Sequence, residues 1–167
     1  MARYLSWSSP GKPLGDGVPS PRYAIASPRE HRYNQRMRGR ESERWLAQAR
    51  WDLKAARDST AAGNFEWACF QAQQAAEKAL KSFLYRAGAE PSARHSVRRL
   101  VAECEKISAD FARLRHAAEL DGYYIPTRYP NGLPDDVPHE YYTVEAAEEC
   151  LSLASSVIEF VGRLSET

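Results

Sequence analysis

The chain has 167 residues, which is enough for one domain with a proper core and short of two. Hydrophobic residues make up 43% of the chain, charged residues 27%, and the formal net charge is +1, values ordinary for a soluble globular protein. The sequence contains no run of about 18 apolar residues and no apolar N-terminal signal segment, which argues against a membrane-spanning or secreted protein and favours a cytoplasmic one.

The first 40 residues differ from the rest in charge and composition. Residues 1–40 hold eight Lys or Arg against two acidic residues (+6), and residues 41–167 hold 15 basic and 20 acidic residues (−5). Residues 8–28 are dense in Pro, Gly and Ser and have no apolar period. We therefore expect residues 1–40 to be a disordered basic arm and residues 41–167 to be the folded domain. The segment ahead of Met37 is either a flexible arm or a stretch before the native start. Such an arm is a cue for anionic partners.

Two long helices are predicted next. Apolar side chains recur at spacings of three and four from Glu41 to about Ser59, and Gly63-Asn64 then stops the helix and offers Asn64 as the N-cap of a second. This second helix spans residues 65–88 and ends at Gly88. Its many alanines predict close approach of a neighbouring helix, as in a bundle. A polar stripe follows the same period: Gln71, Gln74, Lys78 and Lys81.

Three further helices complete the prediction. A short one runs from His95 to Lys106, a fourth runs from Ala109 to Leu120 with Ser108 as cap and Phe111, Leu114 and Ala118 facing inward, and a long final helix follows Thr143. No alternating strand pattern competes with these. The sequence thus predicts an all-α, up-and-down bundle of about five helices.

A long proline-rich loop precedes the last helix. Between Gly122 and Tyr142, prolines recur every four residues, which rules out a continuous helix. Loops of this length inside a compact domain are often functional. The loop includes the stretch YYIPTRYPNG at residues 123–132.

The cysteines indicate no site of their own. Cys69, Cys104 and Cys150 are scattered, with no C-x-x-C spacing, so we expect neither a disulfide framework nor a zinc site, and three buried hydrophobes in a reducing cytoplasm. No phosphate-binding glycine motif, no paired carboxylates and no metal-ligand cluster stand out, so no cofactor and no metal are predicted.

Four motifs in this order carry a resemblance to a known family. They are W-L-x-x-A-x-x-D-L-x-x-A at 45–56, A-C-F-Q-A-Q-Q-A-A-E-K-A-L-K at 68–81, H-S-V-x-x-L at 95–100 and L-D-x-x-Y-I-P-T-R-Y-P at 120–130. Together they resemble the HEPN domain (higher eukaryotes and prokaryotes nucleotide-binding) from about residue 41 to 164. The resemblance implies a helical bundle that is often a homodimer, is often encoded beside a nucleotidyltransferase partner, and in some pairs acts as toxin or antitoxin.

The resemblance also implies a test for catalysis. Many HEPN proteins are metal-independent ribonucleases with an arginine, four to six intervening residues, and a histidine. None of the four histidines here has an arginine five to seven residues upstream, so no catalytic residue is assigned. The nearest substitute pairs Arg128 with His139, with ten residues between them, or with His95.

Arg128 is the first candidate binding residue. It lies between Tyr124 and Tyr129 in the loop, where an arginine can pair with phosphate while the rings stack on a base. The structural alternative is that the aromatic residues pin the loop to the bundle while Arg128 bonds a helix C-terminus.

Lys78, Lys81 and His95 complete the candidate nucleotide-binding or phosphate-binding set. The two lysines fit a solvated face, a dimer seam in which Glu77 bonds across, or phosphate binding. His95 fits either a capping role or anion binding at free backbone N–H groups.

Three functions follow from these alternatives. The first is a HEPN-like domain that binds nucleotide, RNA or a nucleotidyltransferase partner without catalysis. The second is a dimeric ribonuclease toxin, and the third is a purely structural interaction module.

Overall fold

The fold consists of helices alone within residues 27–93 and 95–165, the ranges that the computed structural model describes. No strand occurs in these ranges, and the prediction of an all-α bundle is confirmed. The elements are α1 (Pro28–Ala61), α2 (Phe65–Ala87), α3 (Val97–Glu105), a 3₁₀ segment (Ala109–Tyr123), a 3₁₀ turn (Pro130–Gly132), α4 (Pro138–Tyr141) and α5 (Val144–Ser165).

Helix α2 is the centre of the bundle. It packs along α1 and α5 and also contacts α3, α4 and the 3₁₀ segment. Its alanine stripe is fully buried, which lets these neighbours approach closely, as the sequence predicts. The buried alanines are Ala68, Ala72, Ala75, Ala76 and Ala79.

Helix α1 begins earlier than the sequence pattern predicts, at Pro28 rather than Glu41. The Ser27 hydroxyl accepts from the N–H of Glu30, and the Glu30 carboxylate accepts from the N–H of Ser27 at 2.7 Å. This capping box, with proline at the first helical position, starts a helix whose first turns have no apolar period. The prediction of disorder is therefore wrong for residues 28–40; for residues 1–26 it lies outside the described part of the chain.

The other helix ends follow backbone chemistry that the sequence shows in part. Gly88 ends α2 in the left-handed region (φ 77°), as predicted. Asn64 precedes α2, but its side chain makes no capping hydrogen bond. Helix α3 begins at Val97 rather than His95 because the Ser96 hydroxyl caps it, accepting from the N–H of Arg99. The Thr143 hydroxyl accepts from the N–H of Ala146 at the start of α5.

The predicted fourth α-helix is a 3₁₀ segment and runs on to Tyr123. Its buried residues are spaced by three, which matches the three residues per turn of a 3₁₀-helix and places them on one side. Ala117 is thus buried in place of the predicted Ala118, and Ser108 provides no side-chain cap. The buried set is Phe111, Leu114, Ala117 and Leu120.

The proline-rich loop is folded onto the bundle. Pro130 and Pro138 each begin a single helical turn, a position where the missing N–H costs nothing. Thr127 is 1% exposed, and its hydroxyl donates to the carbonyl of Tyr123 at 2.6 Å. The loop therefore holds the residues beside Thr127 in fixed positions.

The three cysteines are free and buried, as predicted. A hydrogen bond with Cys69, together with burial, raises the pKa of the Cys150 thiol, and burial raises the pKa of Cys104. Within residues 27–93 and 95–165, none of the helices has the length and apolar character needed to cross a membrane.

Candidate nucleotide-binding site

Arg128 is surrounded by aromatic rings. Its guanidinium carbon lies 4.5 Å from the ring centroid of Phe70, 4.6 Å from that of Tyr124 and 5.3 Å from that of Tyr129. Phe70 comes from α2, and the two tyrosines come from the loop. We call these four residues the arginine cage. Cation–π attraction of this kind strengthens as the cation loses water, so the half-buried guanidinium is held firmly.

The hydrogen bonds of Arg128 leave part of the guanidinium unused. Nε donates to the carbonyl of Tyr124, the C-cap of the 3₁₀ segment, at 2.8 Å, so Arg128 does bond a helix C-terminus. In the described ranges, the two terminal nitrogens have no hydrogen-bond partner, and no carboxylate lies within ion-pair distance. Arg128 therefore anchors the loop and still presents donors.

His95 extends the cage. Its ring stacks on Tyr124 with centroids 4.9 Å apart and planes 19° apart. Its Nδ1 lies 3.2 Å from Oε1 of Glu77, while half of the side chain stays exposed. The structure thus brings four predicted residues together, Arg128, Tyr124, Tyr129 and His95.

Glu77 connects this cluster to Lys81. Its carboxylate is 4% exposed and accepts from Lys81 Nζ at 2.8 Å and from the amides of Gln73 and Gln74 at 3.3 Å each. The Lys81 ammonium also lies 5.6 Å from the ring centroid of Trp45. Lys81 is therefore buried, and the solvated-face interpretation is wrong for it. Within the chain, Glu77 bonds residues of its own helix, and the dimer seam stays a prediction.

Lys78 points elsewhere. It forms an ion pair with Asp52 of α1, and its side chain is 24% exposed. A surface groove beside it is lined by Trp45 and Trp51. The structure therefore separates Lys78 from the cage.

The N-terminus of α3 is already occupied. The Asp121 carboxylate accepts from the N–H groups of Val97 and Arg98 and from the hydroxyl of Ser96. The free N–H groups on which the anion-binding interpretation of His95 depends are therefore absent, since the next N–H, of Arg99, bonds Ser96.

His139 lies on the other side of the cage. Its Nδ1 is 3.4 Å from Oε2 of Glu66, a carboxylate that is 8% exposed. Glu66 is one helical turn before Phe70 on α2. His95 thus contacts Tyr124 of the cage, whereas His139 contacts Glu66, one turn from Phe70. Each histidine is oriented by a buried carboxylate.

Comparison with known proteins identifies the family. The family model of the HEPN domain matches residues 42–164. The chain belongs to the HEPN domain family. A solved structure of TT1696 from Thermus thermophilus is 42% identical to this HEPN protein, with a TM-score of 0.65, covering 74% of this chain and 97% of that one.

Two further solved structures agree. An archaeal HEPN homologue, ST0689, is 36% identical with a TM-score of 0.63, covering 75% of this chain and 98% of that one. A HEPN domain protein of Thermotoga maritima, tm0613, is 29% identical with a TM-score of 0.58, covering 72% of this chain and 96% of that one. No curated protein matches this HEPN chain.

Several important residues of this HEPN domain are not found from sequence alone. Phe70 and Glu66 resemble ordinary members of an amphipathic helix, and Asp121 contacts α3 across 24 residues of sequence. Glu77 is visible as a polar residue in the best-matching motif, but its burial is not. Within the described ranges, no three His, Cys, Asp or Glu side chains converge as metal ligands.

Proposed function

We propose that this HEPN domain binds the phosphate of a nucleotide or of RNA through Arg128, without catalysis of its own. The observation that carries the proposal is the arginine cage, in which three rings hold a guanidinium whose terminal donors have no described partner. A guanidinium is weakly hydrated and matches phosphate with two parallel hydrogen bonds, so such donors suit a phosphate ligand.

The two lysines of the predicted site are less suited to bind phosphate than Arg128, because both already form ion pairs. Lys78 is neutralised by Asp52, and Lys81 by the buried Glu77. Binding of phosphate by either lysine would have to compete with an existing ion pair. Arg128 has no such competitor among the described residues, so the proposed site is centred on it.

A surface for the base lies beside the cage. Tyr129 is 50% exposed, and the His95 side chain is equally exposed while stacked on Tyr124. Exposed ring faces next to an arginine suit an unpaired base, because stacking tolerates any base. This supports a nucleotide or single-stranded RNA rather than free phosphate.

Calorimetric titration of the full chain with AMP, ATP and tetrauridylate tests the proposal. We expect saturable binding that Arg128→Ala weakens about 10- to 100-fold, the equivalent of about 1.5–3 kcal/mol for hydrogen bonds to a charged group. Arg128→Lys keeps the charge and loses the planar fork, so it should weaken binding as well. The matched control is Arg113→Ala, since Arg113 also lies over a ring, that of Phe160 at 5.7 Å.

The outcomes separate the hypotheses. Equal affinity of the Arg128→Ala variant and the wild type would refute the assigned site. No saturable heat with any of the three probes, from protein that is folded by circular dichroism, would leave the purely structural interaction module.

A second candidate function is metal-independent RNA cleavage, favoured by the two carboxylate-oriented histidines. With Nδ1 held by Glu77 or Glu66, Nε2 of each ring is available for proton transfer. One neutral histidine would accept the proton of the 2′-hydroxyl, a second protonated histidine would donate to the leaving 5′-oxygen, and Arg128 would stabilise charge on the phosphate.

An RNA cleavage assay with chelator present distinguishes the two candidates. The binding proposal predicts no cleavage above the background of an Arg128→Ala preparation purified in parallel. Cleavage that His139→Ala or His95→Ala abolishes would replace the binding proposal with the ribonuclease toxin.

The family resemblance also implies partners. We therefore also propose a homodimer and a complex with a nucleotidyltransferase, as in a toxin–antitoxin pair. Light scattering of the purified chain tests the first, because a mass of 18.9 kDa per particle would mean a monomer.

A further inference from the structure

The first turns of α1 carry a line of arginines on one side. Spacings of three, four and four residues at about 100° per residue place these side chains within about 80° of one another around the helix. All four are exposed. We call Arg29, Arg32, Arg36 and Arg40 the arginine stripe.

The stripe has no protein counter-charge. In the described ranges, none of its arginines lies within ion-pair distance of a carboxylate, and nearby Glu30 is engaged by Ser27. Like charges one turn apart destabilise a helix, and so do cations at its positive N-terminal end. An anion bound along the stripe would remove both penalties.

The stripe is not explained by the fold. No side chain between residues 29 and 38 whose burial is described is buried, and the HEPN family match begins only at residue 42. The fifth arginine of this segment, Arg38, faces away from the stripe and lies against Gly88 at the C-terminus of α2, where a cation is favourable.

We propose that the arginine stripe binds the phosphate backbone of single-stranded nucleic acid, with Tyr33 stacking on a base. Tyr33 is 64% exposed and lies one turn from Arg29 and from Arg36. The stripe is about 16 Å long, and a stacked strand presents one phosphate per about 3.4 Å. A ring face among arginines suits unpaired bases, because paired bases do not expose theirs.

The chemistry favours nucleic acid over a lipid surface. Every basic side chain in residues 28–40 whose contacts are described is an arginine, which pairs with phosphate in the plane of its fork. A helix that lies on a membrane needs a broad apolar face, and this segment offers only Tyr33 and Met37 as large apolar residues.

The stripe is separate from the arginine cage. Pairings of Trp45 with Tyr85 and of Ser59 with Gln71 show that α1 runs antiparallel to α2, so residues before Arg38 extend past the C-terminal end of α2. Phe70 of the cage lies 18 residues before Gly88, about 27 Å along the same helix. The two sites can therefore be tested independently.

The test measures how salt weakens binding of a labelled 12-mer oligouridylate to the full chain by fluorescence anisotropy. The variant is Arg29→Gln/Arg32→Gln/Arg36→Gln/Arg40→Gln, since glutamine keeps good helix propensity. Each phosphate contact contributes about 0.7 to the slope of log affinity against log salt, so we expect the slope to fall by about 3.

A variant with the same charge change elsewhere is the control. Arg98→Gln/Arg99→Gln/Lys106→Gln/Arg113→Gln removes four exposed cations from α3 and the 3₁₀ segment region, and its slope should stay at the wild-type value. A stripe variant with unchanged slope, or a control variant with an equal loss, would overturn the proposal. In the Arg128→Ala variant, the contribution of the stripe to the salt dependence should remain. Loss of the proposed cage site can therefore be distinguished from loss of the proposed stripe site.

Two further readouts address the nature of the ligand. Tyr33→Leu should weaken oligouridylate binding about 5- to 100-fold, and amide exchange in residues 29–40 should slow when the oligonucleotide is added. If the wild type bound a duplex as tightly as the single strand, and Tyr33→Leu left both affinities unchanged, the stacking role would be contradicted and the proposal overturned. Binding of the protein to phosphatidylcholine–phosphatidylserine vesicles, without binding to the oligonucleotide, would likewise overturn the proposal in favour of a lipid surface.

Discussion

Replacing Glu77 by glutamine should destabilise the whole domain. The substitution keeps the size of the side chain and an acceptor oxygen but removes the charge that neutralises Lys81. Both side chains are buried, at 4% exposure for Glu77 and 8% for Lys81. Lys81 would therefore remain as a buried cation without a carboxylate, and would keep its contact with the ring of Trp45.

The expected loss is large. Breaking a buried ion pair by removing one partner costs about 3–5 kcal/mol, whereas a domain of this kind has about 5–15 kcal/mol of unfolding free energy in total. The loss lies towards the lower end of the range for a broken pair, because glutamine keeps an acceptor oxygen for the Lys81 ammonium. We therefore expect Glu77→Gln to lower the free energy of unfolding by about 2–4 kcal/mol.

Urea unfolding followed by far-ultraviolet circular dichroism measures this loss as a shift of the midpoint at constant slope. The double variant Glu77→Gln/Lys81→Met removes both charges and should recover most of the stability, since apolar replacement of a whole buried pair is often neutral. Glu148→Gln, at an exposed position of α5, is the matched control and should change stability by less than about 0.5 kcal/mol.

The double-mutant cycle decides the matter. If the losses of Glu77→Gln and Lys81→Met add within about 0.5 kcal/mol, the two side chains are not coupled and the reasoning from the buried pair is refuted. A loss for Glu77→Gln no larger than that of Glu148→Gln would refute it equally.

Three more predictions concern the surroundings of the site. Asp121→Ala removes the acceptor of two N–H groups of α3 and should lower the free energy of unfolding in urea by about 1–3 kcal/mol. Amide exchange at Val97 should become faster. The control Asp135→Ala, at an exposed loop position, should leave the stability unchanged. Gly88→Ala should cost about 1–2 kcal/mol in the same assay, because residue 88 has a φ of 77° and the Arg38 guanidinium occupies the space of a Cβ; a neutral result would contradict the left-handed helix end. Burial raises the pKa of Tyr142 from 10.0 to about 12, so the free energy of unfolding should fall as the pH rises from about 10 towards 12. Urea titrations across this pH window should show a smaller fall for Tyr142→Phe than for the wild type. An identical pH profile of the variant would contradict this prediction.

The sequence predicts the elements whose periodicity is strong. Helix α2 has an apolar period of 3.6 over more than six turns and ends at a glycine, and both features hold in the structure. The sequence predicts an α-helix where the 3₁₀ segment lies because a few inward residues fit either period over so short a stretch. The start of α1 escapes prediction for a different reason: its first turns bury nothing, so only the capping box in S-P-R-E marks them.

The candidate site is predictable only in its loop half. Arg128, Tyr124 and Tyr129 are close in sequence, and a pattern of aromatic residues around an arginine is visible without a structure. Glu77 and Asp121 act on residues 18 and 25 positions away, at His95 and Ser96. Sequence periodicity shows which face of a helix such a residue occupies, but the identity of its distant partner follows only from packing.

Helix α2 determines where the cage, and with it the proposed phosphate site, can form. Glu66, Phe70, Gln73 and Glu77 lie one turn apart along its length, and they hold His139, Arg128 and His95 in that order. A loop that carried the same arginine on a helix without this register would lack the ring beneath the guanidinium and the carboxylates beside it. Because the register comes from the central helix of the bundle, whose inner face is buried, the loop residues are positioned by a well-packed element, as precise recognition of a phosphate requires.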